Sequence, residues 1–336
     1  MIPRRALAPL IAVVACLALA AACGGDDDGG GSGGGLQSAK LILDWFPNTD
    51  HAGIYAAIDE GFFKDAGVNV TPEVPSDPSA ALKRLAAGRA DFAISYEPEV
   101  LIARSQGIPV VAVGAIVTRP LNAVIYRTDR ITGADDLEGK TVGAAGTPSD
   151  RPLLDAVVRD AGGDPSKVTV KNVGYDLSPA LAAGKVDAVI GAYWNIELVD
   201  LERQGQPVAA LKLDEHGVPT YDELVVVTTD TVAREKPELV RAFLRGLQKG
   251  QDRAATDEAG AVEHLLQANK DLDEDTVKAQ LRETAPVLSP SDVPTLHVDP
   301  AQWATFATWM TDNGLLTKPV DAAAAVTDRF LPEKTD

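Results

Sequence analysis

Polar and apolar residues follow a repeating order from Lys40 to about residue 228. Short apolar runs alternate with longer stretches in which apolar residues recur every three or four positions. This alternation is typical of α/β proteins, in which each buried strand is followed by a helix that packs on a mainly parallel sheet. The predicted strands cover residues 41–43, 68–70, 92–94, 109–117, 123–126, 141–144, 168–173, 186–190 and 224–228.

The apolar runs form two series, separated by a turn at residues 135–139. A chain of 336 residues is long enough for two domains that each bury a core, so we expect two α/β lobes. The first lobe is predicted to contain residues 40–123 and 223–336, and the second lobe residues 124–222. The cleft between the lobes is the expected ligand site.

The last hundred residues show a different pattern. Leu239, Phe243 and Leu247 recur at four-residue spacing, which predicts helices that complete the first lobe. We expect hinges where the chain crosses between lobes, near residues 123–126 and 221–226.

The first 22 residues have the pattern of an export signal. Two arginines precede an apolar segment, residues 7–19, that is too short to span a bilayer comfortably, and small residues then lead into Cys23. The pattern resembles a bacterial lipoprotein signal, in which Cys23 is lipidated; an ordinary secretory signal with a chance Cys is the alternative. Residues 23–39, rich in Gly and Asp, predict a flexible tether. We therefore expect an extracytoplasmic protein that a lipid on Cys23 anchors to the outer face of the cell membrane.

Charge and motifs narrow the possible functions. The formal net charge is −18, which disfavours binding to nucleic acid or to anionic lipid. The sequence has no Walker loop and no Gly-x-Ser-x-Gly elbow, and its four His are too scattered for a metal site. We expect neither a metal nor a cofactor, and no catalysis.

Aromatic and polar side chains stand where three of the predicted strands end. Ligands of open α/β sheets bind outside the carboxyl ends of the strands, so these side chains are candidates for a binding site. Alternatively, Trp45 could belong to the core, and His51 could simply lie in the first turn of the following helix. The candidates are Asp44, Trp45, Asn48 and His51 after the first strand, Tyr96 and Glu97 after the third, and Tyr193, Trp194 and Glu197 after the eighth.

Four stretches, residues 43–55, 60–63, 95–99 and 191–197, carry a specific resemblance. The Trp-x-Pro-Asn and Tyr-Trp-Asn-x-Glu runs in them resemble the solute-binding proteins of ABC importers in the thiamine-pyrimidine group. Those proteins resemble in turn the yeast-type thiamine-pyrimidine synthases. The resemblance implies the two-lobe periplasmic-binding-protein type II fold, a ligand cleft between the lobes, an ABC permease as partner, and a monomer.

The resemblance also implies roles for the candidates. A thiamine-precursor aminopyrimidine would stack between Trp45 and either Tyr193 or Trp194, one from each lobe. Glu197 would pair with the edge that carries the ring nitrogen and the amine, and Asn48 would add a second polar contact. The weaker candidates of the first lobe are Asp44, His51, Tyr96 and Glu97.

Three alternatives stay open. Riboflavin could stack on the same aromatic residues. An anion receptor for sulfonate, taurine or nitrate would need basic side chains in the cleft, for which Arg119, Arg127 and Arg151 are the candidates. The helix start at residues 146–149 could hold a phosphate or carboxyl group, but a plain capped N-terminus is more common. A synthase-type enzyme would need the Lys and His of the synthases, where Ser95 and Glu99 stand here, and a Cys-rich segment that the mature chain lacks.

Overall fold

The computed structural model describes residues 35–332 apart from 289, 291 and 292. The predicted signal peptide, Cys23 and the tether as far as residue 34 lie outside the described residues. Within them, no helix combines the length and the apolar character needed to cross a membrane.

Two five-stranded sheets form the framework of the described residues. The strands are β1 (Gln37–Ile42), β2 (Val68–Glu73), β3 (Phe92–Ser95), β4 (Val110–Val117), β5 (Asn122–Arg127), β6 (Thr141–Ala144), β7 (Thr169–Asn172), β8 (Ala188–Tyr193), β9 (Val208–Lys212) and β10 (Leu224–Thr229). The first sheet has the order β2-β1-β3-β10-β4 and the second the order β7-β6-β8-β5-β9. In each sheet one strand, β10 or β5, runs antiparallel to both of its neighbours. This is the two-lobe α/β fold that the sequence predicts.

Helices cover the sheets and also extend the first lobe. They are α1 (Ala52–Asp59), α2 (Phe62–Asp65), α3 (Ala81–Ala86), α4 (Glu97–Ser105), α5 (Asp150–Asp160), α6 (Leu177–Ala182), α7 (Glu197–Arg203), α8 (Asp230–Glu235), α9 (Pro237–Thr256), α10 (Glu258–Ala268), α11 (Glu274–Leu288) and α12 (Pro300–Asp312).

The apolar run of β4 is buried along its whole length although β4 lies at a sheet edge. The C-terminal segment covers this edge: the Ala112 N–H donates to the Ala325 carbonyl at 2.8 Å, and the Ala115 N–H donates to the Leu296 carbonyl at 3.1 Å. A strand that is covered on both faces and at its edge has no polar face, which explains its continuous apolar sequence.

The longest helix, α9, packs closely on α1 through glycines. A Cβ on Gly250 would overlap the carbonyl oxygen of Gly53, so the two backbones touch. Leu239, Phe243 and Leu247, whose spacing predicts this helix, are buried in the core. Phe243 stacks on the Phe92 ring with 4.1 Å between centroids.

The chain crosses between lobes twice, at residues 118–121 and 213–223. The predicted hinge at 123–126 is wrong, because those residues lie inside β5 and pair with β8 and β9 on both sides. The second crossing overlaps the predicted hinge at 221–226 as far as residue 223, because β10 begins at Leu224, and the hinge motion itself stays a prediction.

Further differences concern element boundaries. β1 begins at Gln37 and pairs with β2 from that residue, so residues 37–39 belong to the sheet and not to the tether. β8 extends to Tyr193, which places Tyr193 within the strand. The strand β9 and the helix α4 have no counterpart in the sequence-based prediction.

Candidate functional site

Asp44, two residues beyond β1, is the centre of a buried hydrogen-bond group. β1 and β3 are parallel neighbours, so the residues that follow them lie side by side at the carboxyl ends of the two strands. The Tyr96 hydroxyl donates to Asp44 Oδ2 at 3.0 Å, and His51 Nε2 lies 2.8 Å from Asp44 Oδ1. The Asn48 N–H donates to His51 Nδ1 at 3.3 Å, so the imidazole carries its proton on Nε2 and donates to Asp44. Both oxygens of Asp44 therefore have partners.

Asn48 caps the 3-10 turn Thr49–His51, which follows this strand end. Its Oδ1 accepts a hydrogen bond from the Asp50 N–H at 2.9 Å. That bond fixes the orientation of the carboxamide and leaves the Nδ2 group as the part that Asn48 can offer to a ligand.

Glu197 faces the same region from the second lobe. It lies in the first turn of α7, and its Oε2 accepts a hydrogen bond from the Tyr193 N–H at 2.7 Å. Burial raises the pKa of the Glu197 carboxyl to about 7. Glu197 can therefore accept a hydrogen bond as a carboxylate or donate one as an acid near neutral pH.

The cleft between the lobes contains two adjoining chambers that share Trp45, Tyr96, Gly191 and Tyr193. The carboxylate chamber adds Asp44, Asn48 and Glu197 to these residues. Gly191 lines both chambers, and its φ of 85° is a backbone conformation that residues with a side chain rarely adopt. The hinge chamber adds Pro98, Asn122, Ala145, Thr147, Ser149, Asp150, Leu153, Tyr221 and Glu223.

Glu223 connects the hinge chamber to both crossing segments. Its Oε2 accepts hydrogen bonds from the N–H groups of Leu121 and Asn122 at 2.8 and 2.9 Å and from the Tyr221 hydroxyl at 2.9 Å. The Tyr193 hydroxyl lies 3.3 Å from Oε1. Burial raises the pKa of Glu223 to about 7. Sequence reasoning missed Glu223, although a Glu directly before a predicted crossing strand is a signal that could have found it.

The lobes are closed around the cleft. Tyr175 of the second lobe packs edge-on against the Trp45 ring, with 4.5 Å between centroids, and its hydroxyl donates to the Pro75 carbonyl at 3.0 Å. Asn195 of the second lobe bonds to Asp50 and Thr284 of the first. These contacts surround the chambers from outside.

The N–H groups at the start of α5 donate hydrogen bonds to carboxylates of the protein itself. Asp150 Oδ2 accepts hydrogen bonds from the N–H groups of Gly146 and Thr147 at 2.7 and 3.0 Å. Glu99 Oε1, from the first lobe, accepts one from the Ser149 N–H at 2.8 Å. Burial raises the pKa of Asp150 to about 6 and that of Glu99 to about 7. Among the described residues the N-cap Ser149 makes no side-chain cap hydrogen bond, so a plain cap is not the arrangement found, and the N–H groups donate to these two carboxylates.

The three arginines considered for an anion site lie elsewhere. Arg119 pairs with Asp214, Arg127 with Asp129 and Arg151 with Asp155, at 3.4, 2.7 and 2.6 Å. None of the described residues that line the two chambers is Lys, Arg or His.

Six of the nine sequence candidates line the cleft, and three do not. Trp194 points away from it: its Nε1–H donates to the Pro120 carbonyl at 3.2 Å, and Lys212 lies over its ring. Glu97 faces the back of the hinge, where its Oε2 accepts from the Asp222 N–H at 2.7 Å. His51 is fully buried behind Asp44. The six that line it are Asp44, Trp45, Asn48, Tyr96, Tyr193 and Glu197.

Comparison with known proteins identifies the relatives of this chain. The profile of a family described as "NMT1/THI5 like" matches residues 48–261. The chain belongs to this family. It is 32% identical to the formylaminopyrimidine-binding protein of Halalkalibacterium halodurans over 301 residues, which cover 87% of this chain and 91% of the relative.

Two further comparisons add a relative in sequence and a relative in fold. A 4-amino-5-hydroxymethyl-2-methylpyrimidine phosphate synthase of Legionella pneumophila is 25% identical, over 87% of this chain and 92% of the relative. Among solved structures, the alkanesulfonate-binding protein SsuA of Xanthomonas axonopodis pv. citri superimposes with a TM-score of 0.70 at 18% identity, over 87% of this chain and 99% of SsuA. The chain thus has the fold of the periplasmic solute-binding proteins.

Proposed function

We propose that the protein is the extracytoplasmic substrate-binding component of an ABC importer, and that it captures a thiamine-precursor aminopyrimidine between its lobes. The observation that carries the proposal is the composition of the cleft. Four aromatic residues, Trp45, Tyr96, Tyr193 and Tyr221, stand beside four carboxyl groups, and no basic side chain lines the chambers among the described residues.

The aromatic residues suit a flat heteroaromatic ring. Trp45 comes from the first lobe and Tyr193 from the second, so a ring held between them would contact both lobes only in the closed state. Each aromatic contact contributes about 0.5–1.5 kcal/mol beyond the burial of area. Binding and closure would then be the same event.

The carboxyl groups suit a ligand that brings hydrogen-bond donors. An aminopyrimidine presents a ring nitrogen beside an exocyclic amine, and one carboxyl can pair with both atoms. Glu197 fits this role because the Tyr193 N–H fixes its Oε2 and because its pKa of about 7 allows it to hold or release the proton that the pair shares. The formylaminopyrimidine-binding relative supports the choice of ligand class.

An anion receptor fits this cleft poorly. A sulfonate or nitrate would face Asp44, Asp150, Glu197 and Glu223 without a compensating cation. The backbone donors at the start of α5, which could otherwise bind an anion, are engaged by Asp150 and Glu99.

A synthase also fits poorly. Ser95 and Glu99 stand where the resemblance places the Lys and His of the synthases. The Glu99 carboxyl accepts a hydrogen bond from the Ser149 N–H of the other lobe. In our account Glu99 closes the lobes and takes no part in catalysis. Purified protein incubated with pyridoxal phosphate should form no pyrimidine, and measurable conversion would favour the enzyme.

Attachment to the membrane through a lipid on Cys23 is part of the same proposal. A tethered receptor stays close to its permease while its body turns and closes. Mass spectrometry of membrane fractions should find Cys23 lipidated, and an unmodified Cys23 there would contradict this part.

The ligand is tested by isothermal titration of the purified protein with formylaminopyrimidine, hydroxymethylpyrimidine, thiamine, riboflavin and an alkanesulfonate in parallel. We expect a pyrimidine to bind most tightly. Glu197→Gln keeps the shape of the side chain but presents an amide to the ligand's amine, so it should weaken pyrimidine binding about 10- to 100-fold. Glu202→Gln, an exposed change on the same helix, is the matched control and should leave binding unchanged.

The other outcomes are equally clear. Binding of riboflavin alone would keep the receptor and change its ligand, and tight alkanesulfonate binding would refute the account of the cleft. Equal pyrimidine affinity in Glu197→Gln and wild type would remove Glu197 from the site.

A further inference from the structure

Asp50 and Asn195 form a contact between the lobes that is separate from the chambers of the cleft. Asp50 lies in the turn that follows β1 in the first lobe, and Asn195 lies between β8 and α7 in the second. Asn195 Nδ2 donates to Asp50 Oδ1 at 2.7 Å and to Thr284 Oγ1 at 2.9 Å. Thr284 Oγ1 in turn lies 3.0 Å from Thr49 Oγ1. Asp50 and Asn195 are at most 1% exposed.

This contact lacks one donor. Asp50 Oδ2 and Asn195 Oδ1 are both buried and both without a hydrogen-bond partner among the residues that the structure describes. Each is an acceptor, and a buried acceptor left without a donor destabilises the structure around it. A proton on the Asp50 carboxyl would turn one of these two acceptors into a donor.

The surroundings also disfavour an ionised Asp50. The pKa of Asp50 is raised well above its usual value, mainly by burial, while the hydrogen bond from Asn195 acts in the opposite direction. Asp44, Glu197 and Glu223 raise it further by repulsion.

The other groups around Asp50 do not offset this effect. His51, the next residue, is committed to Asn48 and Asp44. α11 presents the hydroxyl of Thr284 to this contact, and its charged residues Arg282 and Glu283 are exposed.

We propose that Asp50 is a proton-dependent latch of the receptor: it is ionised when the cleft is open, and it takes up a proton from solvent when Asn195 closes onto it. The inference rests on the proposed receptor function, and Asp50 acts as a positioning residue because it lines neither chamber. Opening the cleft withdraws Asn195 and returns Asp50 to water, where an Asp carboxyl titrates near pH 4.

The latch predicts how ligand affinity depends on pH. The closed state binds one proton more than the open state between the two pKa values of Asp50, so closure becomes less favourable as pH rises through that interval. Affinity should fall by up to tenfold per pH unit there. The ligand is released more readily in alkaline surroundings.

The test is the number of protons taken up on binding. Formylaminopyrimidine is titrated into the full-length protein between pH 6 and 8, in pairs of buffers with different ionisation enthalpies. Asp50→Asn has the shape of the protonated carboxyl and carries its own donor. We expect this variant to take up fewer protons than wild type, by up to one, and to bind more tightly than wild type at pH 8. Other cleft carboxyls also take up protons, so the difference between variant and wild type is what counts.

Two variants complete the design. Asp65→Asn removes the same charge at an exposed position of the first lobe and should behave as wild type. Asp50→Ser removes the titrating carboxyl with a smaller polar side chain; it should also take up fewer protons than wild type, and it keeps the test valid if Asp50→Asn does not fold. Proton uptake equal to that of wild type in Asp50→Asn, or in Asp50→Ser where the former is unfolded, would overturn the latch.

A second measurement separates the latch from the choice of ligand. If formylaminopyrimidine does not bind, the radius of gyration of the ligand-free protein is measured by X-ray scattering at pH 5 and pH 8. We expect wild type to be more compact at pH 5 than at pH 8, and the difference to be smaller in Asp50→Asn. A wild-type protein of one size at both pH values would refute the latch.

Discussion

Asp44 and Glu197 face each other across the carboxylate chamber, but they differ in how many of their oxygens are already hydrogen-bonded within the protein. Asp44 receives hydrogen bonds on both oxygens, from His51 and Tyr96, so its main effect is to fix the position of the Tyr96 ring. Glu197 receives one backbone hydrogen bond on one oxygen and has a pKa of about 7. For this reason we assign the ligand's hydrogen-bonding edge to Glu197.

The sequence predicts which residues lie near the cleft, but it does not predict which of two neighbouring side chains points into it. Residue types and strand ends predict the six candidates that line the cleft. Neighbouring residues at a strand end point in opposite directions, so Tyr193 faces the cleft while Trp194 packs on the hinge, and Tyr96 and Glu97 divide in the same way. The register that decides between such neighbours depends on contacts with distant segments.

At the scale of elements, the apolar pattern predicts the long and strongly patterned segments best. β4 and α9 have continuous or regularly spaced apolar residues and are found where the sequence places them. β9 was missed because it is a five-residue strand of mostly half-buried side chains, without the polar and apolar alternation that would reveal it. α4 was missed because it begins within the residues assigned to the binding site.

The close contact between α1 and α9 gives a prediction at the scale of elements. Gly250→Ala would push the new methyl group into the Gly53 carbonyl and the Ala57 side chain, so the helices must separate. We expect a loss of about 1–3 kcal/mol in the free energy of unfolding, measured by urea denaturation. Lys249→Ala, an exposed change on the same helix, is the control and should stay within about 0.5 kcal/mol of wild type. Equal stability of both variants would show that the helices are not in tight contact.

For the whole molecule, the notable feature is a group of buried carboxyls where the lobes and crossing segments meet. Burial raises the pKa values of Glu99, Glu197, Asp222 and Glu223 to about 7. These groups come from distant parts of the chain: Glu223 bonds to Leu121, 102 residues away. Their meeting depends on how the two crossing segments pass each other, which local patterns in the sequence do not encode.

These carboxyls predict how stability depends on pH. In the unfolded chain they titrate near pH 4, so between about pH 4 and 7 the folded protein binds more protons than the unfolded one. Their contribution to stability is therefore complete below pH 4 and is lost as pH rises through 7. We expect the melting temperature to fall by about 5 °C or more between pH 5.5 and pH 8, measured by calorimetry. A melting temperature that is constant or rises over this range would contradict the raised pKa values.

The measurement that tests the central claim most directly is a crystal structure of the protein with formylaminopyrimidine. Our account predicts the pyrimidine ring in the cleft between Trp45 and Tyr193, with its ring nitrogen and amine within hydrogen-bond distance of the Glu197 carboxyl. A ring bound outside these two chambers, or one whose amine edge points away from Glu197, would contradict the account.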